Sequence, residues 1–151
     1  MAREDLGAVS ILVIVPCGKA KIWDRYPTAG PTPAERAYVG APFKVNSDYA
    51  RRTSDAWVIL SAKYGFLDPV DAIPGPYNVS FKDPRSRPIE IVTLREQVED
   101  RGLRRFDTVI GLGGKEYREV LRLSLAPKLV EFPFAGLSLF EGLHATKQAG
   151  R

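Results

Sequence analysis

Two short apolar runs, each emptying into a polar turn, set the frame of this chain. Val9–Val15 is rich in β-branched residues and stops at Pro16, the pattern of a strand buried on both faces. Trp57–Leu60 is a second such run and leads into Ser61, Lys63, Tyr64 and Asp68. Between them, the prolines and glycine of Pro27–Pro33 require an extended loop, and Ala34–Tyr38 allows one helical turn. Pro42–Thr53 has a proline suited to a first helical turn, with Phe43, Asn46 and Ala50 on one side, and predicts a helix. Asp68–Pro88 then carries five prolines and little periodicity, a length of irregular chain that is more often functional than decorative.

The second half repeats the alternation. Apolar positions at Ile91, Val92, Leu94 and Val98 predict an amphipathic helix over Ile89–Arg101, capped by Gly102. Asp107–Ile110 is a third strand and leads into Gly111-Leu112-Gly113-Gly114. Lys115–Leu125 is a helix with Tyr117, Val120, Leu121 and Ser124 on one side, stopped by Pro127. Leu129–Phe132 is expected as a fourth short strand, and Gly136–Gly150 as a loop and short helix. The order β-α-β-α-β-α-β predicts one α/β domain over residues 1–151, a three-layer sandwich with a mostly parallel, about four-stranded sheet.

Composition narrows the function classes. No apolar run approaches the ~20 residues that span a bilayer, so no membrane association is expected. The first run follows Arg3-Glu4-Asp5 and is too short for a signal peptide. Cys17 is the single cysteine, which excludes an internal disulfide or a cysteine-based metal site and suggests a reducing cytoplasm. The motifs call for no metal and no cofactor. The net charge of +4 tilts only weakly toward nucleic acid or phosphate partners. Pairs and close sets of basic residues, such as Lys19/Lys21 and Lys115/Arg118/Arg122, flank strand ends where a ligand would sit.

Three loops are expected at the carboxyl edge of the sheet. In Pro16–Lys21, Gly18 permits close approach while Lys19 and Lys21 offer phosphate contacts. Cys17 lacks a base nearby, since the lone His144 sits far along the chain, and is expected as a small buried residue. In Ser61–Asn78, Asp68 or Asp71 could activate water or stabilise a sugar cation. Tyr64 or Tyr77 could stack on a base, and Asn78 could read a base edge. The structural alternative is that Asp68-Pro69 starts a turn, Tyr77 plugs the core, and Ser61, Tyr64 and Gly65 shape the turn. In Gly111–Lys115, small residues free the amides of a helix start for an anion, with Lys115 adding charge. Neither GxxxxGK[ST] nor GxGxxG is present, which argues against a P-loop or a standard dinucleotide fold.

The stretch ILSAKYGFLDP followed by Pro76-Tyr77-Asn78 resembles the YaaA-like proteins, which carry a leucine-serine-small-x-tyrosine-glycine-leucine core and then proline-tyrosine. The chain is most similar to a group of small domains of unknown function related to them. That group shares a first strand ending in cysteine and lysine, as in Val15-Pro16-Cys17-Gly18-Lys19, and a pattern like Ala41-Pro42-Phe43 before a helix. The resemblance spans roughly residues 9–120. It implies nucleic-acid association, DNA above all, and an architecture akin to uracil-DNA glycosylases. Two departures stand out: Asn78 occupies the place of an arginine, and the glycine-glutamine-aspartate-proline water-activating motif is absent.

Taken together, these features lead to the expectation of a domain that acts on nucleic acid and binds a base or nucleotide. Cleavage or exchange of an N-glycosidic bond on a modified or damaged base is its enzymatic form. Asp68, Tyr77 and Asn78 are its candidate catalytic residues. Lys19, Lys21, Ser61, Lys63, Tyr64, Gly113, Gly114 and Lys115 are its candidate nucleotide- or phosphate-binding residues. Two alternatives stay open: a non-catalytic DNA-binding or damage-protection protein, and an enzyme of free nucleotides or nucleosides.

Overall fold

The computed structural model describes residues 9–137 and 139–149. Arg3-Glu4-Asp5 and Gly150, on which two of the sequence expectations fall, lie outside them. The elements in chain order are β1 (Ile11–Pro16), α1 (Ile22–Arg25), β2 (Thr32–Pro33), α2 (Ala34–Ala37), α3 (Ala41–Thr53), β3 (Ala56–Ser61), β4 (Gly65–Leu67) and β5 (Ala72–Ile73). They continue with α4 (Ile91–Arg101), β6 (Thr108–Gly111), α5 (Lys115–Leu125) and α6 (Leu139–Ala149). The main sheet has the order β4-β3-β1-β6. β1 runs parallel to both neighbours, with Val15 opposite Ile59 and Val13 opposite Ile110. β2 and β5 form a separate two-stranded antiparallel pair.

Each central strand is buried on both faces, so its alternate side chains feed two cores. Val13, Val15 and Ile59 pack with Phe43 and Ala50 of α3 on one face. Leu12, Ile14, Val58 and Leu60 pack with Leu94 and Val98 of α4 and Leu121 and Leu125 of α5 on the other. α6 lies against α3, and α4 against α5, which gives three layers. No helix among the described residues is long and apolar enough to cross a membrane.

Two differences from the sequence reading have clear causes. Ser61–Gly65 closes a tight turn and the chain returns as β4, antiparallel to β3 with Ser61 opposite Gly65, so the sheet is mixed. Three residues are too few to show a period in sequence. Gly65 has φ +80°, and a Cβ there would lie 2.1 Å from Oε1 of Gln97. Gln97 of α4 fills that space: Oε1 accepts from the Phe66 N–H at 2.8 Å and Nε2 donates to the Tyr64 carbonyl at 3.0 Å. Its amide thereby satisfies the outer edge of β4, which would otherwise offer free pairing groups. The second difference is Leu129–Phe132, which forms one parallel bridge of Glu131 with Ile110 and not a strand. Pro127 and Pro133 leave too little chain between them for a ladder.

Candidate functional site

The strand order places a switch point at the middle of the sheet. From β1 the chain passes through α3 on one face to β3; from β6 it enters α5 on the other. β1 and β6 are neighbours whose following helices lie on opposite faces, and a crevice opens between their carboxyl ends, where α/β sheets bind ligands. A cleft of about 340 Å³ occupies that position. Its walls come from Pro16 at the end of β1 and Cys17 beyond it, the Gly111–Arg118 segment, Pro42 and Asn46 of α3, and Phe132 and Phe134. Among the described residues that line it, the charged ones are Lys82, Lys115 and Arg118 against the single carboxylate of Glu116.

The turn into α5 is built for close approach. Gly113 has φ +118°, and a Cβ there would sit 3.0 Å from Tyr117 Cβ and 3.2 Å from Pro16 Cγ. No side chain caps α5, whose N-cap is Gly114, so the amides of its first turn are left to water or a ligand. The guanidinium of Arg118 donates to the Gly113 carbonyl at 3.3 Å and steadies the turn. Gly113, Gly114 and Lys115 therefore line the cleft.

Next to the cleft lies a cluster of phenols. Cys17 Sγ and Tyr117 Oη are 3.1 Å apart, and both residues line the cleft. Cys17, expected as a small buried residue, is half-buried against the core, and its partner is a tyrosine; His144 is exposed on α6. Deeper in, Ser61 Oγ accepts from the N–H groups of Lys63 and Tyr64, both at 3.1 Å. Those two bonds use both lone pairs of the hydroxyl, so its proton goes to Tyr77 Oη at 3.0 Å. Tyr77 in turn donates to Tyr38 Oη. Burial is the main cause that pushes the phenols of Tyr38, Tyr77 and Tyr117 well above the usual range, with the nearby Cys17 adding to it.

Cations border this cluster. Lys21 is buried, its ammonium 4.5 Å from the Tyr77 ring centre and 3.2 Å from the Lys19 carbonyl. Desolvation lowers its pKa, against the opposing pull of Cys17 and Asp24. Lys63 is exposed and stands over the Tyr64 and Tyr77 rings, which meet edge to face at 5.4 Å. Ser61 is fully buried with its oxygen engaged, so it shapes the turn and leaves nothing for a phosphate. Lys19 and Asn78 are exposed in the loops alongside.

Asp68 does not join them. β4 runs antiparallel to the other strands and carries Asp68 away from the carboxyl edge. There Asp68 opens a turn whose Asp71 N–H returns to its carbonyl at 3.0 Å. Its carboxylate and that of Asp71 pair with Arg101, the last residue of α4, at 3.3 and 3.5 Å. The expectation that Asp68 stands with the Pro16–Lys21 loop at the carboxyl edge of the sheet is corrected accordingly. Sequence reasoning also passed over Tyr38, Asn46, Tyr117, Lys82 and the two phenylalanines as site residues. The available signal was Asn46, a polar residue on the apolar stripe of α3 between Phe43 and Ala50.

Residues 12–148 match the model of a family of unknown function, DUF6884. The chain belongs to that family. It is 40% identical over 139 residues to the uncharacterized protein YfjM of Bacillus subtilis (strain 168), a match that covers 91% of each chain. No solved structure matches. The 12–148 range contains the whole cleft, from Pro16 to Thr146, so the walls of the site fall within the part that defines the family.

Proposed function

We propose that this domain binds a nucleotide unit of a nucleic acid, with a phosphate held at the start of α5. The observation that carries the reading is the uncapped first turn of α5, open to a switch-point cleft with three cations and one carboxylate. Open amides at a helix start and a local excess of positive charge both favour phosphate. The likeness of Leu60–Gly65 and Pro76-Tyr77 to YaaA-like proteins supports DNA as the partner, and membership of that wider superfamily is part of the proposal. The kinship with uracil-DNA glycosylases implied by the same likeness has no matching solved structure, and the reading does not depend on it.

Base release is the enzymatic form of the same reading. It needs a carboxylate near the sugar to support the cation or activate water. Asp68 is engaged with Arg101 elsewhere, which leaves Glu116 as the acid that lines the cleft. Tyr77 enters this scheme as support for the cleft wall through Tyr38 and Ser61, not as the group that attacks.

Fluorescence anisotropy with labelled single- and double-stranded DNA, from about 50 to 200 mM salt, tests the binding. Affinity should fall steeply with salt, and Lys82→Ala and Lys115→Ala should each reduce the slope by about one. Absent or salt-insensitive binding overturns the reading. Incubation with DNA carrying uracil, oxidised, 7-deaza or hydroxymethylated bases separates the two forms. Released base, abolished in Glu116→Gln, supports the enzyme; intact binding without release leaves the DNA-binding form.

A further inference from the structure

We infer that Asn46 reads the edge of a nucleobase seated in the cleft, so that the occupant is a single nucleotide with its base turned inward. The inference rests on the proposed function above and names what the cleft selects. Asn46 is only 7% exposed, between Phe43 at 2% and Ala50 at 0% on the same side of α3. A helix buried this deeply against a sheet normally carries an apolar residue there. Yet Asn46 lines the cleft, and its amide makes no hydrogen bond among the described residues. No buried side-chain nitrogen or oxygen is left wholly enclosed without a partner, so the amide of Asn46 keeps its opening toward the cleft.

A polar side chain this enclosed, whose amide meets no protein partner, is costly unless something in the cleft satisfies it. Water can do so in the empty cleft; a base edge, with an adjacent donor and acceptor, does so with matched geometry. The remaining walls suit the flat part of a base. Phe132 and Phe134 are half-buried aromatic rings on the cleft, joined by the apolar Leu112 and Pro42. The α5 start and the lysines already answer a bare phosphate; they leave the aromatic walls and Asn46 without a purpose. A volume of about 340 Å³ lies at the small end of ligand pockets, in keeping with one nucleotide and not a stacked strand. The amide in this role is Asn46 of α3, whereas Asn78 is exposed outside the cleft.

Isothermal titration of the full chain with the four common nucleoside 5′-monophosphates, ribose 5-phosphate and inorganic phosphate tests this. At least one monophosphate should bind ten- to hundredfold tighter than ribose 5-phosphate, the range expected when one or two hydrogen bonds and stacking are added. Asn46→Leu should erase that preference while ribose 5-phosphate binding stays; Asn46→Asp, which keeps the shape and removes the donor, should erase it too, with every phosphate compound weakened alike by the added charge. In the unaltered protein, the side-chain NH₂ resonances of Asn46 should move with the preferred nucleotide and stay with ribose 5-phosphate. That measurement stands even where a variant misfolds. Ribose 5-phosphate binding as tightly as every monophosphate, or a preference that survives both variants, overturns the inference and leaves the phosphate site. Failure of every phosphate compound to bind overturns the proposed function along with it.

Discussion

Replacing Tyr77 by Phe isolates one hydroxyl and tests the hydrogen-bond chain through it. The ring stays, so its edge contact with Tyr64 and the Lys21 ammonium over its face persist. What goes is the oxygen that accepts from Ser61 and donates to Tyr38. Ser61 is fully buried and Tyr38 is 2% exposed, so neither recovers a bond from bulk water. Two lost bonds are worth about 1 kcal/mol each, and a stranded buried donor on Ser61 adds a comparable penalty, for a total of about 2–3 kcal/mol. Ser61→Ala should cost a similar amount, because it also strips the acceptor from the Lys63 and Tyr64 amides. The double variant should cost less than the sum by about 1 kcal/mol or more, since each change removes the partner that the other strands. Urea unfolding followed by tryptophan fluorescence measures this, with the buried Trp23 as probe. At a slope near 2 kcal/mol/M, the single variant should lower the midpoint by roughly 1 M. Additive effects, or a loss below about 0.5 kcal/mol for Tyr77→Phe, would refute the hydrogen-bonded chain of Ser61, Tyr77 and Tyr38.

Other consequences are open to simpler assays. The phenols of Tyr38, Tyr77 and Tyr117 are raised in the folded state, so the stability they confer is complete below their free value near 10 and is lost as pH climbs above it. Absorbance at 295 nm should therefore show these three phenols ionising only as the protein unfolds; their ionisation at about pH 10 in the folded protein refutes the burial of the cluster. Gly65→Ala should cost about 3 kcal/mol or more, because it meets a positive φ and displaces Gln97 from Phe66 and Tyr64; a midpoint within 0.5 M of the parent contradicts that account. Glu116→Gln should tighten phosphate binding several-fold by removing the one negative charge that lines the cleft, and unchanged titration isotherms would place the anion elsewhere.

Strands β1 and β3 were legible because they are buried on both faces, and such strands write continuous apolar runs. Val13, Val15 and Ile59 serve one core while Leu12, Ile14 and Leu60 serve the other, so no polar residue interrupts Ile11–Val15 or Trp57–Leu60. The loop after β6 was legible for a related reason: Gly113 leaves no room for a side chain between Pro16 and Tyr117, and that constraint is visible as a glycine. The acid was misplaced because sequence order carries no direction of travel. Three residues of β4 reverse the chain, and Asp68, six residues beyond the buried Ala62, ends beside Arg101. The phenol cluster was hidden differently. Tyr38 follows a one-turn helix, Tyr77 ends a proline-rich loop and Tyr117 opens α5; only the sheet brings them to one edge. Asn46 is the instructive case, since a polar residue inside an apolar stripe was in view from the start. Burial of an amide is informative only when its partners are known, and here the protein supplies none among the described residues. A sequence can mark the position where a fold departs from its own pattern; the vacant partner, and with it the argument for a ligand, emerges only when the cleft is in place.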